Sequence, residues 1–159
     1  MKISIESAYL IIGQVTRLVE ILHRLADFPK DKDNGYCVIT SALDGRVLLT
    51  FQVGECKPEK VKKYYSLANA KAVRLYSFAS QNHVSSWQSR DKDANRWGGA
   101  IRAGDVIFSF SGLPELADEA VMLVAAVICN FISLEEAEKI AIVSDNVTFS
   151  ILAISIGYY

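Results

Sequence analysis

The positions of apolar residues divide the chain into segments with helical spacing and segments with the two-residue period of a strand. Residues 5–26 and 58–82 each carry one apolar stripe at helical spacing, which predicts two amphipathic helices. The second stripe is narrow and rich in alanine, so this helix can approach a sheet closely. Residues 114–130 predict a third helix, and residues 133–136 have the form of a capping box for a short fourth helix that ends near Ser144.

Two pairs of short β-rich runs are each separated by a turn signal. Residues 36–42 and 46–53 flank Asp44-Gly45, a dipeptide that favours tight hairpin turns because glycine accepts a positive φ. Residues 97–101 and 105–110 flank a turn at Gly104 and form a second predicted hairpin.

These elements predict an α+β fold of the profilin or PAS type, in which the two hairpins pair as one antiparallel sheet packed against helices. The tail, VTFSILAISIG at 147–157, is expected to be a last strand, with a helix as the alternative. No repeat or linker interrupts the chain. We therefore expect a single domain over 1–159, with residues 131–159 as a C-terminal extension of one helix and one strand.

Composition narrows the function classes. The chain of 159 residues is 51% hydrophobic and 22% charged, with a net charge of −1, which argues against a nucleic-acid partner. The longest apolar run, at 120–132, is too short to span a bilayer, so no membrane association is expected. Three widely spaced cysteines give no metal-ligand pattern and fit a reducing compartment, so we expect no metal site and a cytoplasmic location.

Charge is unevenly distributed along this nearly neutral chain. Residues 57–74 are strongly basic, and residues 113–138 carry acidic residues without a base. The two segments are interpreted either as solvated helix faces or as complementary surfaces between subunits.

Several short motifs occur in a characteristic order between residues 36 and 130. They are Leu43-Asp44-Gly45, Asn69-Ala70-Lys71-Ala72, Gly98-Gly99, Phe110-Ser111-Gly112 and the acid Asp118. In this order and spacing the chain resembles the GlcG/HbpS-like family, the haem-binding-protein-like group that includes the C-terminal domain of PduO-type proteins. It departs from the family pattern where Ala100 and Ile101 follow the glycine pair, and where Val106 and Ser109 replace expected glycines, which implies a narrower or closed pocket.

The resemblance implies a non-catalytic module that binds or senses a small molecule, such as haem or an organic acid, and that forms homo-oligomers. The cofactor itself is left open, with haem suggested by the resemblance alone. The residues expected to bind the ligand are Lys71, Gly98, Gly99, Arg102, Ser111, Gly112 and Asp118. The alternative is an enzyme of haem or small organic acid metabolism with Lys71, Ser111 and Asp118 in its site. The sequence contains no known motif that places a catalytic nucleophile beside a general base.

Each candidate residue has a structural interpretation beside the functional one. Lys71 either binds a carboxylate or phosphate as a point charge or is a surface lysine on a basic helix. Ser111-Gly112 either presents N–H groups to an anion at a helix start or forms the turn that enters the helix. Asp118 either pairs with Lys71 or with a base of another subunit, or compensates the helix dipole.

Arginines and tryptophans flank the second hairpin. Arg90, Arg96 and Arg102, together with Trp87 and Trp97, either bind an anionic ligand or form a subunit interface. The conventional axial ligands for haem that the chain offers are His23, His83, Met1 and Met122.

Overall fold

A four-stranded antiparallel sheet forms the middle layer of the computed structural model, which describes residues 2–159. Five α-helices pack on it, so these residues form an α+β fold. The elements in chain order are α1 (Ile5–Arg24), β1 (Gly35–Ser41), β2 (Val47–Val53), α2 (Pro58–Ser77), β3 (Ala100–Ala103), β4 (Val106–Ser111), α3 (Glu115–Ile128), α4 (Leu134–Val143) and α5 (Val147–Ser155). Two short 3₁₀ turns, at Ala79–Gln81 and Ser86–Ser89, lie in the connection between α2 and β3.

The two predicted hairpins join edge to edge in one sheet, in the order β2-β1-β4-β3. Strand β1 pairs with β4 in antiparallel register, with Cys37 opposite Phe110 and Ile39 opposite Phe108. The second hairpin starts at Ala100 and not at Trp97 as predicted, because residues before Ala100 lie outside the ladder with β4.

Helices cover both faces of the sheet, and the two-residue period of β4 decides which side chains meet which helix. Phe108 and Phe110 are fully buried in the larger core with α1 and α3, whereas Ile107 points to the other face and packs with Ala72 and Leu75 of α2. The result is three layers with α2 alone on one side.

Helix α2 lies close to the sheet because the residues facing it are small. Ala68 and Ala72 are fully buried, and the hydroxyl of Ser109 on β4 donates a hydrogen bond to the Ala68 carbonyl at 2.7 Å. The apolar stripe predicted for this helix also included Val61, Tyr65, Leu75 and Ala79. Of these, Leu75 is buried and Val61 is half-buried, but Tyr65 and Ala79 are exposed.

The C-terminal tail is a helix, so the predicted last strand is wrong. In α5 the buried residues are Phe149, Leu152 and Ala153, which have the i, i+3, i+4 spacing of one helix face, and Asn146 caps the helix by accepting from the Phe149 N–H at 3.0 Å. The tail is apolar at nearly every position, so its periodicity does not separate a strand from a buried helix. The capping box at Ser133 and Glu136 begins α4 as predicted.

None of the helices within residues 2–159 combines the length and the apolar character that crossing a membrane requires.

The close approach of α2 to the sheet makes Ala72 a sensitive position. We expect Ala72→Leu to lower the free energy of unfolding by about 1–3 kcal/mol, because extra methyl groups have no room between α2 and Ile107. Ala70→Leu, on the exposed face of the same helix, is the matched control and should be nearly neutral, because leucine and alanine have similar helix propensities. Urea denaturation of both variants measures the difference, and equal stabilities would contradict the close packing.

Candidate functional site

A buried ion pair joins α2 to α3 at the end of β4. The Lys71 ammonium lies 2.9 Å from Oδ2 of Asp118, and both side chains are only 3% exposed. Lys71 is therefore not a surface lysine, and Asp118 does more than compensate the dipole of α3. Of the alternatives that the sequence left open for Asp118, pairing with Lys71 is the one present.

Backbone groups complete the polar environment of the pair. Lys71 also donates to the carbonyl oxygen of Phe110 at 2.8 Å, and Oδ1 of Asp118 accepts from the Leu113 N–H at 2.9 Å. Burial raises the pKa of Asp118 to about 6, although the Lys71 charge and the Leu113 hydrogen bond act in the opposite direction. At neutral pH the Asp118 carboxyl is therefore mainly ionised.

Two glycines allow the chain to pass closely around the pair. Gly99 has a φ of 114°, and a Cβ atom there would lie 2.7 Å from Cβ of Asp118 and 2.8 Å from Nζ of Lys71. Gly112 has a φ of 148°, and its Cβ would lie 2.2 Å from the carbonyl oxygen of Asn34. Both positions combine an unusual backbone conformation with a lack of space, so glycine is required for the geometry.

The ion pair forms part of the wall of a cavity of about 650 Å³ between α2 and the start of α3. Ser111 and Gly112 also line it, so four of the predicted site residues meet here. The remaining lining residues are Lys32, Lys63, Tyr64, Ser66, Leu67, Asn95, Trp97, Leu113, Pro114 and Glu115.

Ser111 stands out among the lining residues. It is 4% exposed, and its hydroxyl has no hydrogen-bond partner among residues 2–159. The first turn of α3 begins beside it, and Pro114 at the N-cap provides no side-chain acceptor for the leading N–H groups. An unpaired hydroxyl and the start of α3 therefore border the same cavity.

The glycine pair supports this wall without lining the cavity. The N–H of Gly98 donates to Oε1 of Glu115 at 2.9 Å, and Arg90 binds the same carboxylate through two hydrogen bonds of 2.8 and 2.7 Å. Burial acts to raise the pKa of Glu115, but the bonds from Arg90 and Gly98 outweigh it and hold that pKa below its ordinary value. Arg90 also lies over the Trp87 ring at 4.5 Å.

Arg102 lies away from the cavity, so the structure does not bring this predicted residue together with the others. Its guanidinium donates to the carbonyl oxygens of Leu75 at 3.1 Å and His83 at 3.3 Å, and it borders a different depression beside α4. In these contacts Arg102 ties α2 to the loop that precedes β3.

Sequence reasoning missed the roles of two polar residues, the half-buried Arg74 and the buried Glu119. Arg74 donates to the Ser89 hydroxyl at 2.9 Å and to the Trp97 carbonyl, which holds the segment before β3 against α2. Its position on a helix of many basic residues gave no signal that set it apart.

Glu119 is fully buried and is not a residue that merely compensates the dipole of α3. It accepts hydrogen bonds from the hydroxyls of Ser85 and Ser144 and from Nδ2 of Asn146, the last at 2.8 Å. Burial raises its pKa, against the effect of these three donors. The available signal was an acid directly before the apolar run at 120–132, because a carboxylate that is buried there needs hydrogen-bond partners.

The chain matches no protein-family model, no curated protein and no solved structure.

The buried pair predicts strong coupling between Lys71 and Asp118. Lys71→Met should lower the free energy of unfolding by about 3–5 kcal/mol, because it leaves the carboxylate of Asp118 buried without its cation. Asp118→Asn should cost less at neutral pH, because burial opposes the charge of Asp118 and raises its pKa to about 6. The double variant should lose clearly less than the sum of the two. The matched control is the exposed pair Glu135–Lys139, whose own cycle should give a coupling of about 0.5 kcal/mol or less. Additive losses at Lys71 and Asp118 would contradict a direct interaction.

The pKa of Asp118 predicts the pH dependence of stability. Because the pKa is raised from 3.8 to about 6 in the folded state, its contribution is fully present below pH 3.8 and is lost as the pH rises through 6. Relative to Asp118→Asn, the wild type should therefore lose stability between pH 4 and pH 7. Carboxyl ¹³C chemical shifts of Asp118 measure the midpoint directly, and a midpoint near 4 would contradict this prediction.

Proposed function

We propose that this chain is a non-catalytic module that binds a small organic anion in the cavity beside Lys71 and Ser111. The observation that carries the proposal is Ser111, a residue only 4% exposed that borders the cavity at the start of α3 and whose hydroxyl makes no hydrogen bond within residues 2–159. The N-terminus of a helix favours an anion, because its N–H groups and its dipole both stabilise negative charge.

The donors around this point suit a carboxylate. An ammonium group has three donors, and Lys71 uses two of them on Phe110 and Asp118, which leaves one for a ligand. Both oxygens of Asp118 are occupied by protein donors. This occupancy supports a binding role for the pair over proton transfer by Asp118.

The rest of the cavity suits an organic body with a negative charge. Trp97, Tyr64 and Leu67 provide aromatic and apolar walls. Lys32 and Lys63 stand among the lining residues without an ion-pair partner in residues 2–159, whereas both lining carboxylates are paired. The balance of charge therefore attracts an anion.

The donor set of this cavity offers haem a single candidate axial ligand, whereas its charges favour a small anion. Iron in haem is held by histidine, methionine, cysteine or tyrosine, and the lining residues include just one of these types, Tyr64. His23 borders a separate depression, His83 stacks on Phe78, and Met122 is fully buried in the core. Met1, the other conventional ligand, lies outside the described residues. An organic acid is therefore the ligand class that we propose.

We further propose that the chain is of the GlcG/HbpS-like type, with a profilin-like or PAS-like sheet, and that it self-associates in the cytoplasm. The single sheet made from two hairpins, with the lysine-bearing helix across one face, supports the architecture. Three free thiols, at Cys37, Cys56 and Cys129, support a reducing compartment.

A comparison of two serines on the same face of β4 tests the proposed ligand site. Ser111→Ala should leave the free energy of unfolding nearly unchanged, because its hydroxyl has no protein partner, but should weaken anion binding about tenfold through loss of a charged hydrogen bond. Isothermal titration calorimetry with succinate and benzoate, at neutral pH and low salt, measures the affinity.

Ser109→Ala is the matched control. Its hydroxyl bonds to Ala68 inside the protein, so this variant should lose about 1 kcal/mol of stability and keep the affinity of the wild type. The proposal fails if neither acid binds to the wild type, or if the two variants bind equally well. Native mass spectrometry of the purified protein identifies any acid that accompanies it.

A further inference from the structure

Two of the lysines that line the cavity lie on α2, one of them buried and the other exposed. Lys63, Leu67 and Lys71 all border the cavity and are spaced i, i+4 and i+8, so they lie on one side of the helix. From the α-helical rise, Lys63 and Lys71 are about 12 Å apart along the helix axis. Lys71 is buried and Lys63 is exposed. The cavity therefore has one cation in its buried part and a second cation where it meets solvent.

Leu67 separates these two cations with apolar surface, since it lies one helical turn from each of them. The other lining residues of this part of α2, Tyr64 and Ser66, carry no charge. Trp97 borders the same cavity, and its indole N–H donates to Oδ1 of Asn95 at 2.6 Å, so its one polar group is already occupied. An alkyl chain suits such surroundings, because it needs no hydrogen-bond partner.

Ion pairing within the protein leaves the cavity with two cations. The two carboxylates in its lining, those of Glu115 and Asp118, each have a cation as partner. Lys32 and Lys63 have no ion-pair partner within residues 2–159, and this includes Glu59, one turn before Lys63. A ligand with two negative charges therefore balances the charge of the lining.

From this arrangement we infer that the ligand is an aliphatic dicarboxylate whose carboxylates are separated by several methylene groups. One carboxylate binds at Ser111 and Lys71, and the other binds at Lys63. The inference rests on the proposed function, because the first carboxylate occupies the anion site beside Lys71 and Ser111. Lys63 is the residue that selects for the second carboxylate.

The distance between the two lysines sets the length of the ligand. Each ammonium–carboxylate contact takes up about 2.8 Å, which leaves about 6 Å of the helical rise for the ligand itself. Adipate, with four methylene groups, spans this distance, whereas succinate, with two, is shorter. Inorganic phosphate carries its charge at one point and cannot reach both lysines.

Isothermal titration calorimetry of the full chain with adipate and hexanoate, at neutral pH and low salt, tests the inference. The two acids have carbon chains of equal length and differ in the second carboxylate. Adipate should bind about fivefold more tightly, which is the contribution of one exposed ion pair. Succinate and phosphate should bind more weakly than adipate. Competition against adipate gives the affinity of any acid too weak for direct titration.

Two neighbouring lysines provide the variant and its matched control. Lys63→Gln should reduce the affinity for adipate to that for hexanoate and leave hexanoate nearly unchanged. Lys62→Gln removes the same charge from an exposed position of the same helix that does not line the cavity, so it should keep the fivefold preference. Ser111→Ala should weaken both acids by the same factor, because both place a carboxylate there. Circular dichroism establishes that each variant folds.

The outcomes separate this inference from the proposed function. The inference is overturned if adipate and hexanoate bind equally, if succinate or phosphate binds as tightly as adipate, if Lys63→Gln keeps the preference, or if Lys62→Gln loses it. In each of these cases, binding of hexanoate that Ser111→Ala weakens would leave the proposed anion site standing. If none of these acids binds, the proposed function fails, and the inference fails with it.

Discussion

The ion pair between Lys71 and Asp118 is the interaction on which the arrangement of the candidate site depends. It connects α2, on one face of the sheet, with α3, which packs against the other face. Removing two charges from water is costly, and backbone groups of Phe110 and Leu113 offset part of this cost by binding the same two side chains. The pKa of Asp118 stays raised because burial outweighs these contacts. The pair thereby fixes the end of β4 relative to both helices, and with it the position of Ser111.

The three acids at the start of α3 show how one short segment organises its surroundings. Glu115 accepts hydrogen bonds from Arg90 and Gly98, and Asp118 accepts one from Lys71. Glu119 accepts hydrogen bonds from three side chains, those of Ser85, Ser144 and Asn146. All three lie near the positive end of the helix dipole, which lowers the cost of holding carboxylates there. Their partners come from different parts of the chain, so α3 holds together the loop before β3, the helix α2 and the corner between α4 and α5.

The cavity and the outward side of α5 have opposite physical character. The cavity borders on the buried ion pair, a hydroxyl without a protein partner, and two lysines, Lys32 and Lys63. The outward side of α5 is apolar, and the helix has no charged residue. The cavity lining and α5 share no residue.

The sequence by itself determined the features that depend on local contacts. The apolar stripe of α1, the turn at Asp44-Gly45 and the capping box at Ser133 all rest on residues a few positions apart, and all are present. It also pointed to Lys71, Ser111 and Asp118 as neighbours, through motifs in a characteristic order. Tertiary structure decided the rest, because burial and partners come from distant segments. The apolar tail is a helix because one of its sides packs against α3. Arg102 lies away from the cavity, and the buried Glu119 has three hydrogen-bond donors from other segments.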